Sequence, residues 1–323
     1  TYLHQVVTAD YVSMDDGTGI VHTAPAYGAE DLELGKAYSL PTVHTVDLQG
    51  NLAHEGLPGT GKFVKEADED IMRDLQERGL LYRRETIRHT YPFCWRCDSP
   101  LLYYAKSTWY IRTTAKQDEL ISGNQKINWY PQHIKDGRFG EWLRNNVDWA
   151  LSRERYWGTP LPVWQCEGCG EHECFGSVDE LKGRAPAEQR DALDSDGLDL
   201  HRPYIDRISV GCQKCEGTMR RVPDVLDAWF DSGAMPFAQA HVMSQEKLEE
   251  LKRDHLFPAD YICEAVDQTR GWFYTLHALA TLIAGEPSFL NVICLGLLLD
   301  GKGEKMSKSK GNVVKPWDVI NAH

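Results

Sequence analysis

Six of the nine cysteines form three Cys-x-x-Cys pairs, the spacing at which two thiolates bind one metal ion. Two of these pairs, Cys166 with Cys169 and Cys212 with Cys215, are separated by 42 residues, and each has a glycine nearby for a tight turn. Four thiolates around one Zn²⁺ form a closed structural site without an open coordination position. We therefore predict a structural zinc site at these four cysteines, with an unmetallated or redox-active set as the alternative.

The third pair, Cys94 and Cys97, supplies only half of such a tetrahedron. We expect this pair to be metal-free or to bind metal weakly, with two reduced cysteines that never have a ligand as the alternative. His172 and Cys174 lie close enough to Cys169 in the sequence to be rival ligands of the predicted zinc site.

A second candidate for chemistry is the stretch 301–312, which contains four lysines, two serines and three glycines and follows the apolar run 291–299. Ammonium groups on flexible stems and glycine backbone N–H groups suit a polyphosphate ligand. A solvated basic turn is the alternative.

These residues require elements that bring them together. The pattern predicts a strand over 260–265, a helix over 268–284 with Phe273, Leu276, Leu279 and Ile283 on one face, and a strand over 291–299. Ligands of open parallel sheets bind beyond the carboxyl ends of the strands. We therefore expect residues 264–268 and the lysine-rich stretch to lie at the same edge of a sheet.

The segment Lys305-Met306-Ser307-Lys308-Ser309 resembles the signature loop of the class I aminoacyl-tRNA synthetases. Residues 149–160, 228–233 and 264–273 resemble further motifs of that family, and the resemblance extends from about Asp16 to about Val319. Within the family, the combination is most similar to the isoleucine enzymes, with the valine enzymes as the nearest alternative.

The resemblance implies roles for individual residues. Lys305 and Lys308 would stabilise the pyrophosphate that leaves as ATP activates the amino acid, and Trp229 and Trp272 would form walls of the aliphatic side-chain pocket. ATP and the aminoacyl-adenylate would be bound by residues of two segments: Glu264, Asp267, Gln268, Lys305, Met306, Ser307, Lys308 and Ser309. The residues alone leave two alternatives open, namely that Asp267 caps a helix and that both tryptophans pack in the core.

The stretch 15–31 resembles the editing domain of the isoleucine, valine and leucine enzymes. The resemblance implies that Asp31 binds the α-amino group of a mischarged amino acid and that His22 lies at the same pocket. Turn and helix capping by these two residues is the alternative. Tyr27 stands where many relatives have a second histidine, so the predicted editing site is incomplete.

The predicted fold class is α/β: the second half of a class I Rossmann-type catalytic domain with a zinc-ribbon insertion, preceded by part of an α+β editing domain. The predicted domains are the editing part at 1–90, a connecting segment at 91–148, the catalytic domain at 149–163 and 222–323, and the zinc-binding insertion at 164–221. Within 1–90 we expect strands over 18–23 and 42–46 and a helix over 66–78 that stops at Gly79.

Composition bounds the remaining expectations. A chain of 323 residues with 42% hydrophobic residues has enough apolar side chains to form a sizeable core. No apolar run approaches the ~18 residues of a membrane span. The formal charge of −13 restricts RNA contacts to local basic patches. The cysteine usage favours a reducing cytoplasm.

We accordingly expect a piece of a longer, monomeric enzyme that joins isoleucine to tRNA(Ile) with ATP and Mg²⁺, carries structural Zn²⁺, and edits mischarged valine. The isolated piece is expected to be inactive. A non-catalytic zinc-ribbon module that binds RNA is the alternative from a different class.

Overall fold

The computed structural model describes residues 5–15, 18–86, 88–94, 97–194, 197–306 and 311–322. The chain forms two compact units, Thr1–Ser107 and Thr108–His323. The described part of the first unit contains two helices, α1 (Ala29–Ala37) and α2 (Val64–Glu77).

The helices of the second unit are α3 (Gln117–Gln125), α4 (Gly140–Arg144), α5 (Val178–Arg184), α6 (Ala187–Leu193), α7 (Ala228–Ala238), α8 (Gln245–Arg253), α9 (Trp272–Ala284) and α10 (Pro316–Ala322). Its strands are β1 (Tyr110–Ile111), β2 (Asn128–Tyr130), β3 (Trp149–Ala150), β4 (Ser152–Arg153), β5 (Val163–Cys166), β6 (His172–Cys174), β7 (Ser209–Gly211), β8 (Thr218–Arg221), β9 (Val225–Leu226), β10 (Ile262–Ala265) and β11 (Asn291–Leu295). Short 3-10 helices span Thr113–Lys116, Ile205–Arg207 and Val266–Arg270, and one turn of π-helix spans Lys135–Phe139.

Helix α2 forms where the apolar spacing predicts it. Ala67 is fully buried in a small core with Val46 and Leu52, and Ile71 packs against them one turn further along the helix. Gly79 follows the helix with φ of +68°, the left-handed conformation that glycine adopts without steric cost.

The strands predicted over 18–23 and 42–46 are wrong. Ile20 is 81% exposed, and Val46 forms only an isolated bridge with Leu52. A strand is stabilised by a hydrogen-bonded neighbour, and no described residue of the first unit supplies one beyond such bridges. The described part of this unit is therefore helices and turns rather than α+β.

The second unit is built around a three-stranded parallel sheet of order β10-β11-β2, in which Ala265 lies beside Leu295 and Asn291 beside Asn128. The β10-α9-β11 arrangement confirms the order of the predicted strand, helix and strand, but α9 begins at Trp272 rather than at 268 and β11 ends at Leu295 rather than at 299. Strand β2 was not predicted. It lies within the predicted connecting segment 91–148, of which residues 108–148 belong to the second unit and share its core. The reason is that Trp129 of β2 packs against Phe139 and against Phe273 of α9.

Helix α9 is buried from Phe273 to Thr281 because α7 and α3 pack against it and its Phe273 shares a core with Val292 of the sheet. A Cβ at Gly233 of α7 would lie 2.9 Å from the Thr275 carbonyl oxygen, so the two helices approach closely only because this residue is glycine. Ile283 is exposed, which corrects the predicted apolar face at its last position.

His277 is a buried histidine in the middle of α9. Its Nε2 donates to the Leu120 carbonyl oxygen at 2.8 Å, and Nδ1 has no partner. Burial lowers the pKa of His277 to about 4. The folded protein therefore keeps this ring neutral at pH values where the unfolded chain, with a pKa near 6.5, takes up a proton.

We expect His277 to contribute stability that is complete above pH 6.5 and is lost as the pH falls toward 4. The loss is at most about 1.4 kcal/mol per pH unit. Urea unfolding at pH 7 and pH 5 measures it: His277→Gln should lose less stability between the two pH values than the unaltered protein. The exposed His133→Gln is the control, and an equal loss in all three proteins would contradict the assignment.

The insertion 164–221 forms a separate antiparallel sheet of order β6-β5-β8-β7 with its own core. Trp164, Val210 and Met219 are buried in this core, and α5 and α6 pack against it. The predicted insertion is thus a compact module within the second unit.

A buried arginine connects this module to the chain segments on either side of it. Arg221 donates to the Leu161 and Asp224 carbonyl oxygens and pairs with Asp206, which also pairs with Arg202. Arg202 in turn donates to the Pro223 carbonyl oxygen at 2.8 Å.

Among the described residues, no helix combines the length and apolarity needed to cross a bilayer.

Candidate functional site

The four cysteines predicted to bind zinc lie together at one end of the insertion. Their sulfur atoms are all within 4.8 Å of one another, with Cys166 Sγ 3.4 Å from Cys215 Sγ and Cys169 Sγ 3.7 Å from Cys212 Sγ. A tetrahedral Zn²⁺ with Zn–S bonds of about 2.3 Å sets its sulfur atoms about 3.8 Å apart. The observed spacing fits such an ion.

The antiparallel sheet of the insertion brings the sulfur atoms this close. Cys166 ends β5 and Cys212 follows β7, so the antiparallel sheet places the two pairs side by side. A Cβ at Gly217 would lie 3.2 Å from Cys166 Sγ and 3.3 Å from Cys215 Sγ, so a larger residue would crowd the sulfur cluster.

The thiols of the cluster differ in acidity. The backbone N–H groups of Cys169 and Gly168 lower the pKa of Cys166 to about 6. The backbone N–H of Glu171 lowers the pKa of Cys169, but the Cys215 thiol, burial and the other neighbouring thiols raise it to about 12. The cluster thus readily ionises one thiol and retains protons on another, which a divalent cation would displace.

The remaining candidate ligands do not join this cluster. Gln165 Nε2 donates to His172 Nε2 at 2.9 Å, and Cys174 is exposed at the end of β6. Cys97 donates through Sγ to Ser99 Oγ at 3.3 Å, and no third metal-ligating group approaches Cys94 and Cys97 among the described residues. The latter pair therefore remains half of a site.

A second candidate site lies at the carboxyl edge of the parallel sheet. Glu264 is near the end of β10, and Asp267 and Gln268 follow in the 3-10 helix. Both carboxylates are exposed. Gln268 Oε1 accepts from the backbone N–H of Trp272 at 3.0 Å, and Gln268 Nε2 donates to Asp267 Oδ2 at 3.4 Å. The residue that contacts the start of α9 is thus Gln268 rather than Asp267.

Trp229 packs against Gly271, the residue that directly precedes Trp272. A Cβ on Gly271 would lie 3.2 Å from Cη2 of Trp229, so the absence of a side chain gives the indole its place. Trp272 Nε1 donates to the Ser232 carbonyl oxygen at 3.1 Å, which ties this ring to α7. Trp229 is 43% exposed and Trp272 is half-buried, so the two rings can present apolar surface to a small ligand.

The lysine-rich stretch follows β11 from the same edge of the sheet. Lys305 is exposed and forms an isolated bridge with Leu299, and the Met306 N–H donates to the Leu298 carbonyl oxygen at 3.4 Å. Ser307, Lys308, Ser309 and Lys310 lie outside the described residues. Their predicted contacts with ATP therefore stay predictions.

Asp300 organises this stretch and was not predicted. Its Oδ1 accepts from the backbone N–H groups of Lys302 and Glu304, both at 2.9 Å, and its Oδ2 accepts from Asn312 Nδ2 at 2.8 Å. An aspartate directly before Gly-x-Gly is a turn signal, so this local role was accessible from the sequence.

Arg138 is a second residue that sequence reasoning missed. Its Nε donates to Thr269 Oγ1 at 2.8 Å, within the 3-10 helix that carries Asp267 and Gln268. The residues are 131 positions apart, and no motif links them. The π-helical turn Lys135–Phe139 delivers the guanidinium to the carboxyl edge of the sheet.

In the first unit, the predicted pair of His22 and Asp31 is not in contact. Asp31 Oδ2 accepts from the Ala24 N–H at 3.0 Å, and His22 is exposed. Tyr27 is part of the packing, because its hydroxyl accepts from the N–H groups of Thr45 and Val46 at 2.6 and 3.0 Å. The helix capping given as the alternative for Asp31 is not observed either, because the N-cap residue of α1 is Gly28 and no side chain caps this helix. Asp31 instead accepts from the backbone of the turn that precedes α1.

Comparisons with known proteins add to this geometry. A family model described as tRNA synthetases class I (I, L, M and V) matches residues 60–323. An isoleucine–tRNA ligase of Dehalococcoides mccartyi is 61% identical over 321 residues, which cover 99% of this chain and 31% of that protein. The isoleucine–tRNA ligase of Thermus thermophilus is 56% identical over 315 residues, covering 98% of this chain and 29% of that protein.

A solved structure of Agrobacterium radiobacter LeuRS with tRNA and LeuAMS has a TM-score of 0.40 and 19% identity, over 97% of this chain and 31% of that chain. This similarity is too low to support a comparison of folds. The chain spans less than a third of the length of the curated relatives named above.

Proposed function

From the premise that this chain belongs to the class I tRNA synthetases of the isoleucine, leucine, methionine and valine group, we propose that it forms part of an isoleucine–tRNA ligase. The complete enzyme would activate isoleucine with ATP and Mg²⁺ and transfer it to tRNA(Ile). The observation that carries the proposal is the arrangement at one sheet edge: Glu264 near the end of β10, Asp267 and Gln268 just after it, and the lysine-rich stretch after β11.

The chemistry assigned to these residues is electrostatic. The exposed carboxylates of Glu264 and Asp267 can accept hydrogen bonds from ribose hydroxyls and an amino group, and Gln268 can hold Asp267 in place. Lys305 and Lys308 would stabilise the negative charge that develops on the pyrophosphate as it leaves, in the transition state more than in the ground state. Met306, Ser307 and Ser309 complete the proposed ATP-binding stretch.

Trp229 and Trp272 are proposed as walls of the isoleucine pocket. A pocket that discriminates between two aliphatic side chains differing by one methylene prefers the larger one by only about 1–3 kcal/mol of binding free energy. Discrimination of isoleucine from valine is itself the standard example of this range. A second, hydrolytic site for valine is therefore part of the proposal. We assign it to the first unit, at His22 and Asp31, with the observed contact of Asp31 to Ala24 leaving its second carboxylate oxygen to a substrate amine.

The proposed domain roles follow the two units. Residues 1–90 would belong to the editing domain, and 164–221 form the insertion in which Cys166, Cys169, Cys212 and Cys215 would hold Zn²⁺. That ion would stabilise the fold of the insertion. Residues 149–163 and 222–323 would belong to the catalytic domain, and we include 108–148 with them because β2 pairs with β11.

The ion pairs of the insertion support the enzyme over a zinc-ribbon module that binds RNA. Phosphate contacts require cations that are available to the backbone. Most described Lys and Arg side chains of the insertion instead pair with carboxylates: Lys182, Arg184, Arg202, Lys214, Arg220 and Arg221. None of the nine cysteines is in a disulfide bond in the described part of the chain, which supports a reducing compartment, and we propose a cytoplasmic monomer.

The test is amino-acid-dependent ATP–pyrophosphate exchange by the protein made from its complete reading frame, with isoleucine, valine and leucine compared. We expect the highest kcat/KM with isoleucine. A preference for valine would transfer the proposal to the valine enzymes. A folded, zinc-loaded protein without exchange would refute it.

A further inference from the structure

Asp227 joins the two chain segments that flank the zinc-bearing insertion. Its side chain is 9% exposed, and Oδ2 accepts from Arg153 Nη2 at 2.7 Å and from Trp149 Nε1 at 3.3 Å. Arg153 and Trp149 lie before the insertion 164–221 in the sequence, whereas Asp227 lies after it. The Asp227 backbone N–H also donates to the Leu151 carbonyl oxygen at 2.8 Å. The chain segment that precedes the insertion thus holds the carboxylate of a residue that follows it.

The other carboxylate oxygen sets the start of α7. Asp227 is the N-cap residue of this helix, and Oδ1 accepts from the backbone N–H of Trp229 at 3.4 Å. The direction in which α7 starts fixes the backbone of Trp229. The indole itself is 43% exposed, so burial alone does not fix its orientation. The six-membered ring of the Trp229 indole packs against Gly271, which has no side chain and directly precedes Trp272.

The cation that holds Asp227 is itself fixed. Arg153 Nη1 donates to the carbonyl oxygens of Ala150 and Ser152 at 2.8 and 2.9 Å, so the backbone just before Arg153 orients the guanidinium. The contacts run from Arg153 to Asp227 and from Asp227 to Trp229. A pocket wall that distinguishes one methylene requires a fixed position, because a displacement of about 1 Å is as large as the difference it must detect.

We propose that Asp227 is a positioning residue of the amino-acid pocket: paired with Arg153, it aligns the start of α7 so that Trp229 faces Gly271 at the distance isoleucine requires. This inference rests on the proposed function, since it takes Trp229 as a wall of the isoleucine pocket. A purely structural role of the ion pair is the competing explanation. It predicts a loss of stability without a change in selectivity.

The first variant is Asp227→Asn in the protein from the complete reading frame. Asparagine is as good an N-cap as aspartate, so the helix start is kept while the ion pair to Arg153 is lost. We expect KM for isoleucine in the exchange reaction to rise about tenfold and the preference for isoleucine over valine to fall by a similar factor. KM for ATP should change by less than about twofold, because its proposed contacts lie elsewhere on the sheet edge.

Asp206→Asn is the matched control. Asp206 is also a partly buried carboxylate with arginine partners, Arg202 and Arg221, but it lies in the insertion. This variant should lose thermal stability and keep the KM for isoleucine and the isoleucine-to-valine ratio. If Asp227→Asn likewise loses only stability, the inference is overturned. If the unaltered protein shows no isoleucine-dependent exchange, the proposed function fails instead, so the two failures are distinguishable.

Arg153→Gln provides a second route if Asp227→Asn does not fold. It should raise KM for isoleucine in the same direction, and the double variant should be no worse than the more affected single variant, because both changes remove one interaction. Independent effects that multiply in the double variant would overturn the pairing of Arg153 with Asp227 as the positioning contact.

Discussion

Replacing Lys305 by alanine in the complete protein should lower kcat of isoleucine-dependent ATP–pyrophosphate exchange by about 10²–10³-fold, the effect of removing one group that stabilises transition-state charge. KM for isoleucine should change little, because a contact made mainly in the transition state affects kcat rather than ground-state binding. Lys305 is exposed, and the bridge with Leu299 holds its backbone in the stretch that follows β11. Steady-state exchange kinetics at varied isoleucine and ATP concentrations measure both parameters.

Lys315→Ala is the matched control for this experiment. It removes another exposed lysine ten positions further along the chain, outside the proposed ATP-binding stretch. We expect this variant to keep kcat within about twofold, as is usual for surface substitutions away from a site. A kcat loss of equal size in both variants would point to general charge attraction of ATP, and an unchanged kcat in Lys305→Ala would contradict the assigned role.

Cys169→Ser in this 323-residue chain should abolish stoichiometric zinc binding and unfold the insertion at ordinary temperature. Structural zinc contributes an apparent ~10–16 kcal/mol at neutral pH, which exceeds the stability that a small module derives from its own core. The reason is local: Cys169 Sγ lies 3.7 Å from Cys212 Sγ, and a hydroxyl is a far weaker zinc ligand than a thiolate. Metal analysis of the purified protein and thermal unfolding with and without a chelator measure the effect.

Cys174→Ser is the control, since this exposed cysteine lies five positions on and does not belong to the cluster. It should bind zinc like the unaltered protein. Zinc affinity should fall as the pH falls, because protons compete with the metal for the four sulfurs. If Cys169→Ser retains one equivalent of zinc, or if Cys174→Ser loses it, the assigned ligand set is wrong.

Local spacing predicted the elements on which both sites depend. The strand, helix and strand around α9 are confirmed because their apolar periods extend over enough residues, and Gly285 ends the helix in the left-handed conformation that glycine favours. The predicted strands in the first unit are wrong because alternation over a few residues does not supply a pairing neighbour. Strand β2 was missed because three residues carry no readable period.

In the candidate sites too, contacts between residues at short spacing could be predicted from the sequence, and contacts between distant residues could not. The Cys-x-x-Cys spacing predicted which sulfurs would meet, and the sulfurs are together. The contact of Arg138 with Thr269 spans 131 residues, and that of Arg153 with Asp227 spans 74. No periodicity or motif connects positions so far apart, so these partners could not be named in advance.

The sequence by itself determined the family of this protein, the identity of the four clustered cysteines and the edge of the sheet at which the lysine-rich stretch emerges, because each depends on residue types at short, fixed spacings. Only the tertiary structure decided that Gln268 rather than Asp267 contacts the start of α9, that Asp31 bonds to Ala24 rather than to His22, and that Asp227 links the segments around the insertion. The physical reason is that a hydrogen bond of about 3 Å depends on the relative placement of whole elements, and packing sets that placement.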